Sequence, residues 1–218
     1  MTSIAILGGT GRQGSGLALR FARTGARVIV GSRDPARARD TVAGWSKPAA
    51  GSIEIADYAT AAEHGDIVVL AVPFDALDAL LAELALHVST RSIVVDVTVP
   101  VAFPNGRMTM IDVVEGSASE HIRARLPPKV AMAAAFKTLP AHLLGGDGPL
   151  DCDEFVCGDT PKSRAAAAAL VQRLPGVRSV DVGPLSRARL IEHSTALAIA
   201  INRTHKIHDA RFRVVGLP

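Results

Sequence analysis

The sequence is poor in aromatic residues and in cysteine, and it has no long apolar run. Only 4% of its 218 residues are aromatic, and there are two cysteines. The longest unbroken apolar stretch, residues 67–74, is far shorter than the roughly 20 residues of a membrane-spanning helix. Two cysteines exclude a disulfide scaffold and are typical of a reducing compartment. Because Met1-Thr2-Ser3 carries no basic flank or export-type cleavage site, we expect a cytoplasmic protein that contacts no membrane.

One short segment accounts for the excess of positive charge. The formal net charge is +3, and residues 203–213 hold four Lys or Arg against one Asp, which is also +3. No basic face with interleaved aromatic residues accompanies this segment, so we predict no nucleic-acid partner. The segment is either a solvated tail or a patch whose field steers an anionic substrate.

The apolar pattern predicts an α/β fold. With 48% hydrophobic and 21% charged residues, the chain can build a sizeable core. Residues 67–72 are a continuous apolar run, as expected for a strand buried on both faces of a parallel sheet, and residues 93–97 are predicted to be another buried strand. Strand and helix patterns alternate along the first half, which predicts a Rossmann-type doubly wound parallel sheet.

The second half of the chain is less regular. Its predicted strands are 129–134, 154–157 and 178–182, its predicted helices are 165–174 and 185–202, and a glycine-rich loop lies near residue 145. We therefore expect two domains, residues 1–145 and a smaller α/β extension, residues 146–218, ending in a long helix. In that helix Leu190, Leu197 and Ile201 have helical spacing, which indicates core; exposed, they would indicate a dimer interface.

A glycine-rich turn follows the first predicted strand, residues 3–7, and opens a helix that we expect to stop near Gly25. This context makes the G-x-G-x-x-G pattern informative, because the helix N-terminus offers free N–H groups and partial positive charge to a pyrophosphate. The alternative is a glycine turn without a ligand. We predict a dinucleotide-binding site formed by Gly9, Thr10, Gly11, Arg12, Gln13 and Gly14.

The residues after the second predicted strand indicate which dinucleotide binds. An NAD site usually has an acidic residue there, for the ribose 2′-hydroxyl, but this chain has Gly31 and Ser32. Ser32 can donate a hydrogen bond to a 2′-phosphate, Arg33 can bind it bidentately, and Arg37 adds charge one helical turn later. The sequence therefore predicts NADP, unless these arginines are only solvated charges at a helix start, where Asp34 suits the N-cap.

Other kinds of catalytic site are not indicated. The sequence shows no Ser-His-Asp order, no paired carboxylates and no metal-ligand spacing among its histidines, so we predict no metal. Cys152 and Cys157 lack companion ligands and are interpreted as a loop thiol and a packed thiol. The one tyrosine, Tyr58, is poorly placed as a proton donor for a carbonyl or imine substrate.

Four blocks of sequence resemble the NADPH-dependent coenzyme F420 reductases, which move a hydride between NADP(H) and a deazaflavin. The first two blocks fit many NADP enzymes, whereas the last two are more particular to the family. The blocks are residues 8–20, residues 30–33, Ala135-Phe136-Lys137-Thr138-Leu139-Pro140-Ala141, and residues 156–159 with 181–190.

The resemblance implies a site where two ring cofactors meet. The nicotinamide would lie near Val72 and Pro73 at the carboxyl ends of the strands, and coenzyme F420 would stack on it. Because the hydride passes directly between two rings, orientation matters more than a general base. The resemblance also implies a homo-oligomer, which closed symmetry makes common. The implied acceptor-binding residues are Thr98, Val99, Pro100, Lys137, Thr138 and Leu139.

One residue departs from the family pattern. The family tends to carry His where this chain has Lys137, a flexible point charge in place of a flat ring. Lys137 is a candidate catalytic residue that could pair with an anionic deazaflavin; the alternatives are a different acceptor (flavin, ferric chelate, or small imine or carbonyl) or a surface charge without a role. The chain as a whole could also be a non-catalytic NADP(H) sensor, although a sensor has no need of a segment such as residues 135–141 to form the floor of an acceptor site. The physiological direction of the reaction stays open.

Overall fold

A computed structural model describes residues 2–46 and 50–217 of the chain. The strands are β1 Ser3–Leu7, β2 Arg27–Gly31, β3 Ser52–Ala56, β4 Ile67–Leu70, β5 Ile93–Asp96, β6 Val101–Ala102, β7 Thr109–Met110, β8 Ala131–Ala134, β9 Cys152–Gly158 and β10 Val177–Pro184. The helices are α1 Arg12–Arg23, α2 Pro35–Ala43, α3 Tyr58–His64, α4 Leu77–His87, α5 Ala118–Arg125, α6 Ala141–Leu144, α7 Pro161–Val171 and α8 Ala188–His205. Short 3-10 turns precede α4 and α8.

Eight strands form one sheet in the order β10-β9-β8-β5-β4-β1-β2-β3, and β6 and β7 form a separate hairpin. The six strands from β3 to β8 in this order run parallel, which confirms the doubly wound fold. Strand β9 is antiparallel to β8, and β10 is parallel to β9. The strands after residue 150 therefore extend the same sheet, and the division of the chain at residue 145 stays a prediction.

The core lies in two layers, one on each face of the sheet. On one face α1 and α7 pack through Leu17, Phe21 and Leu170. On the other face α3, α4 and α5 pack through side chains such as Leu81 and Ile122. Strands β4 and β5 lie between the layers, which explains why their sequences are apolar at nearly every position.

Two helices begin where capping residues place them. Helix α7 begins at Pro161, four residues before the predicted start, because Thr160 and Ser163 form a capping box. Helix α5 was not predicted, although its N-cap Ser117 and Glu120 have the spacing of such a box, and the backbone N–H of Glu120 donates to the Ser117 hydroxyl. Gly25 ends α1 as expected, with φ of +84°.

The final helix contradicts the prediction that its apolar stripe belongs to the core. Leu190 is 66% exposed and Leu197 is 54% exposed, whereas Ile201 is half-buried. The helix instead turns Ala188, Ile191, Glu192 and Ala198 inward. Leu190 and Leu197 therefore lie on one solvent-facing side of α8.

One expectation is corrected near β9 and another is refined. The four cations of residues 203–213 are exposed, as expected for a solvated segment, although Arg211 donates to the Leu150 carbonyl at 2.6 Å and Arg213 pairs with Asp151 at 3.2 Å. Cys152 is not a loop thiol, since it begins β9 and is buried like Cys157. No helix within residues 2–46 and 50–217 is both long and apolar enough to cross a bilayer.

Candidate cofactor and hydride-transfer site

The glycine turn lies where β1 gives way to α1, and close contacts explain its glycines. Gly8 has φ of +81°, and a Cβ there would lie 2.6 Å from the Ala71 carbonyl. A Cβ on Gly14 would lie 2.5 Å from the Gly8 carbonyl. Gly11 is the N-cap of α1 and offers no side chain, so the first-turn N–H groups stay open to a ligand. Thr10 is half-buried, and Arg12 beside it is exposed.

Gln13 links the glycine turn to residues 135–141, the segment that the family resemblance assigns to the acceptor site. Its side-chain amide donates to the Phe136 carbonyl, so this amide is turned toward the protein interior and not toward a bound ligand. Phe136 has φ of +60° and packs edge-on against Phe21 of α1. The two predicted binding segments therefore meet directly.

Helix α1 and the segment after β8 are packed too closely to move independently. A Cβ on Gly16 would lie 2.4 Å from Cβ of Leu144. The buried Arg20 guanidinium donates to the carbonyls of Leu143, Leu144 and Gly148 at 2.8–3.1 Å. Sequence reasoning noted Gly16 and Arg20 only as part of a family block and missed this role.

The end of β2 has no room for an acidic residue. Gly31 is buried, and a Cβ there would lie 2.6 Å from Cδ2 of Leu7. Asp34 caps α2, as predicted, by accepting from the backbone N–H of Arg37 at 3.0 Å. Arg33 and Arg37 are exposed, and Ser32 is half-buried. Two exposed arginines therefore lie in this corner, and the Asp34 carboxylate beside them is engaged by the N-terminus of α2.

Tyr58 lies in the same corner, which sequence reasoning did not anticipate. Burial raises the pKa of Tyr58, and the nearby positive charge of Arg33, together with a hydrogen bond from it, partly offsets that rise. Because α3 follows β3, its first residue faces the end of the neighbouring β2. Tyr58 therefore lies beside Arg33. Its position could be deduced only once the order of the strands was known.

The ends of β4 and β5 come together, as predicted for the nicotinamide region. The Thr98 hydroxyl donates to the Val72 carbonyl at 3.3 Å, and Pro73 beside it is exposed. Val99 is half-buried and Pro100 is buried. These residues lie at the carboxyl edge of the parallel strands, where ligands bind in doubly wound folds.

A small cleft opens beside Pro100. It has a volume of about 80 Å³ and lies between residues 110–116 and the start of α8, where Arg189, Glu192 and His193 line it. The described residues include no group of three or more His, Cys, Asp or Glu that could hold a metal.

The acceptor-floor residues are buried more deeply than the sequence suggested. The side chains of Lys137, Thr138 and Leu139 are all buried. Lys137 is not a surface charge, because its ammonium pairs with Asp96 at 2.6 Å and with Glu192 at 3.0 Å. The charge of Lys137 is therefore directed into the interior of the protein.

The buried carboxyl of Glu154 fixes the position of Lys137 and Thr138. Glu154 of β9 accepts from the backbone N–H of Lys137 at 3.0 Å and from the Thr138 hydroxyl at 2.6 Å. Burial raises the pKa of Glu154 to about 7, although the hydrogen bonds from Thr138 and Lys137 act in the opposite direction. Glu154 was not predicted, because its partners are 16 and 17 residues away in the chain.

This carboxyl makes stability depend on pH. The pKa of Glu154 rises from 4.5 to about 7 on folding, so its stabilising contribution is complete below pH 4.5 and is lost as the pH rises through 7. A shift of this size corresponds to about 3 kcal/mol. We expect Glu154→Gln to lose this pH dependence, so that its free energy of unfolding relative to wild type rises between pH 5 and pH 8.

Urea unfolding at several pH values measures this difference. The control is Glu83→Gln, which neutralises an exposed carboxyl of α4 and should keep the wild-type profile. Parallel profiles for wild type and Glu154→Gln would contradict the assignment.

A glycine-rich turn at a helix N-terminus, a corner with exposed arginines after β2 and a cleft at the carboxyl edge of the sheet are features of an NADP-dependent oxidoreductase of Rossmann type. Comparisons with known proteins identify the family. The profile of the family described as "NADP oxidoreductase coenzyme F420-dependent" matches residues 3–100.

Full-length relatives extend this match. The chain is 38% identical to the F420-dependent NADP reductase of Methanothermobacter thermautotrophicus, over 99% of this chain and 95% of that protein. It is 31% identical to the F420-dependent NADP reductase of Methanocaldococcus jannaschii, over 98% of both chains. The chain therefore belongs to the family of F420-dependent NADP reductases.

Solved structures agree with this fold. A chain from Arthrobacter sp. FB24, assigned as an F420-dependent NADP reductase, superposes with a TM-score of 0.82 at 25% identity and covers 99% of this chain and 100% of its own. A reductive aminase from Aspergillus terreus superposes with a TM-score of 0.64 at 15% identity, over 94% of this chain and 63% of its own. The second likeness concerns the fold alone.

Proposed function

We propose that this protein transfers a hydride directly between NADP(H) and coenzyme F420. In the reducing direction NADPH gives a hydride to the deazaflavin, a proton comes from solvent, and NADP⁺ and the reduced deazaflavin result. The observation that carries the proposal is 38% identity over 99% of the chain to an F420-dependent NADP reductase. The enzyme relatives disfavour the sensor alternative.

The cofactor half of the site is built from backbone N–H groups and three arginines. Backbone N–H groups at the N-terminus of α1 hold the pyrophosphate, and Thr10 and Arg12 flank it. The turn from Gly9 to Gly14 shapes this site, with the N–H groups of Gly9 and Gly11 donating to Ile6 and Gly8. Ser32, Arg33 and Arg37 hold the 2′-phosphate, and the close packing around Gly31 disfavours an acidic side chain at that position. Gln13 contributes its backbone, while its side chain fixes Phe136.

The reacting rings meet at the carboxyl edge of the sheet. The nicotinamide lies by Val72 and Pro73, and the deazaflavin lies by residues 98–100 and 137–139. In this division residues 1–145 bind NADP(H), and residues 146–218 complete the acceptor side. Orientation of the two rings supplies the catalysis, since the nicotinamide itself provides the hydride.

An acceptor panel tests this proposal. Purified protein is mixed anaerobically with NADPH and, in turn, coenzyme F420, riboflavin phosphate, a ferric chelate or a cyclic imine. We expect kcat/KM for coenzyme F420 to exceed that for every other acceptor at least 100-fold, on the scale of a site built for its substrate. Faster reduction of another acceptor would contradict the proposal.

We also propose that α8 forms a homodimer interface. Leu190 and Leu197 are more than half exposed on one side of the helix, and closed two-fold assemblies are the commonest oligomers. We expect Leu197→Glu to shift the mass measured by light scattering from dimer to monomer. The control Leu86→Glu alters an exposed leucine of α4 and should leave the mass unchanged; a monomeric wild type would contradict the interface.

A cytoplasmic location completes the proposal. Cys152 and Cys157 are both free and buried. Free thiols are typical of reducing compartments, which supports this location.

A further inference from the structure

Three charged side chains meet in the interior beside the acceptor segment. The Lys137 ammonium lies 2.6 Å from Oδ2 of Asp96 and 3.0 Å from Oε1 of Glu192, and the three side chains are at most 1% exposed. Charges this deeply buried are retained only when they are paired and hydrogen-bonded. We refer to Asp96, Lys137 and Glu192 as the buried charge cluster.

The ammonium has used all of its hydrogen-bonding capacity. A lysine ammonium has three donors, and here they go to Asp96, to Glu192 and to the backbone carbonyl of Thr98. No donor remains for a substrate, so Lys137 neither contacts the acceptor through its charge nor gives it a proton. Any effect of Lys137 on the reaction passes through the groups that it holds.

Those groups belong to the walls of the acceptor site. Asp96 accepts from the backbone N–H of Thr98 at 2.7 Å, so both ends of the Lys137–Asp96 pair fix Thr98. On the other side, the Thr195 hydroxyl of α8 donates to the Lys137 carbonyl at 2.9 Å. The cluster therefore ties the loop after β5, the segment after β8 and helix α8 to one another.

Neighbouring donors complete the electrostatic balance. Asp96 accepts from the Ser119 hydroxyl at 2.6 Å, and Glu192 accepts from the backbone N–H of Ala118 at 3.2 Å. Burial works against the charge on Lys137, but Asp96 and Glu192 outweigh it and raise the pKa of Lys137. Burial also raises the pKa of Glu192, so this carboxyl can take up a proton if the cation is lost.

We propose that Lys137 is a positioning residue for the hydride acceptor, and that its ammonium locks residues 98–100 and 137–139 into one rigid cradle for the deazaflavin ring. This inference rests on the proposed function. The cofactor turn keeps contacts that do not involve the cluster, since Gln13 binds the Phe136 carbonyl and α1 packs on α6, so we expect loss of the cluster to act first on the acceptor side and to change NADPH binding less.

The test uses variants that remove the ion pairs of Lys137 without leaving an unpaired charge buried. Lys137→Met by itself leaves two carboxylates without a cation, and such a variant is expected to fold poorly. The neutral triple variant Asp96→Asn/Lys137→Met/Glu192→Gln removes all three charges. The double variant Asp96→Asn/Lys137→Met is the second test, since Glu192 can then be buried in its protonated form.

The measurements separate positioning from stability. For each neutral variant that keeps a cooperative thermal transition, we expect KM for coenzyme F420 to rise, or single-turnover hydride transfer to slow, at least tenfold. A misplacement of about 1 Å can cost about 100-fold. KM for NADPH should stay within twofold of wild type. The matched control Lys129→Met removes an exposed lysine before β8 and should change none of these values.

Two results would overturn the inference. One is a folded neutral variant whose KM for coenzyme F420 and hydride-transfer rate both stay within twofold of wild type. The other is unfolding of both neutral variants, which would assign the cluster to the stability of the whole fold. Wild type that fails to reduce coenzyme F420 would contradict the proposed function instead, so the two failures are distinguishable.

Discussion

Replacing Gly14 with alanine is expected to raise KM for NADPH about 100-fold. The added Cβ would lie 2.5 Å from the Gly8 carbonyl and 2.8 Å from Cα of Gly9, and both are backbone atoms that cannot turn aside. The turn must open, and its N–H groups then miss the phosphates. Two lost hydrogen bonds to charged oxygens, at about 1.5–3 kcal/mol each, account for an effect of this size.

A glycine outside the turn provides the control. Gly44 has φ of −80°, and the nearest atom to an added Cβ is 3.5 Å away, so Gly44→Ala should leave KM for NADPH unchanged. Steady-state kinetics with coenzyme F420 in excess measures both variants. An unchanged KM for NADPH in a folded Gly14→Ala protein would show that the cofactor binds elsewhere.

Replacing Arg33 with alanine is expected to raise KM for NADPH about 10- to 100-fold while changing KM for NADH less than twofold. Arg33 is exposed at the end of β2, where a 2′-phosphate would lie and where NADH has only a hydroxyl. Loss of one bidentate charged contact corresponds to about 1.5–3 kcal/mol. The rise in KM is therefore expected with NADPH, which carries the 2′-phosphate, and not with NADH.

Arg39→Ala is the matched control for this experiment. Arg39 is an exposed arginine of α2, the helix that follows Arg33, and its loss changes the net charge equally. Its kinetic constants should match those of wild type. Equal effects of Arg33→Ala on NADPH and NADH would contradict the 2′-phosphate assignment.

The parts of the fold that depend on local sequence were predictable. The glycine turn, the cap at Asp34 and the buried strands β4 and β5 each follow from residues within a few positions of one another. The interpretation of Leu190 and Leu197 as core was wrong because helical spacing is the same for a buried stripe and an exposed one. Only the packing of α8 distinguishes the two.

The interior of the acceptor side was not predictable from spacing. Lys137 is 41 residues from Asp96 and 55 residues from Glu192, so no local pattern joins them. A lysine in a mixed apolar segment has the same appearance whether its ammonium is solvated or enclosed. Glu154 was missed for the same reason, since its role depends on β9 lying beside the segment after β8.

Transfer of isotope from cofactor to acceptor tests the central claim most directly. NADPH with both hydrogens at C4 replaced by deuterium is mixed anaerobically with wild-type protein and coenzyme F420 in ordinary water, and the reduced deazaflavin is analysed by mass spectrometry. Direct hydride transfer predicts one deuterium in each reduced deazaflavin. Reduced deazaflavin without deuterium, or no reduction while NADPH binds tightly, would contradict the account.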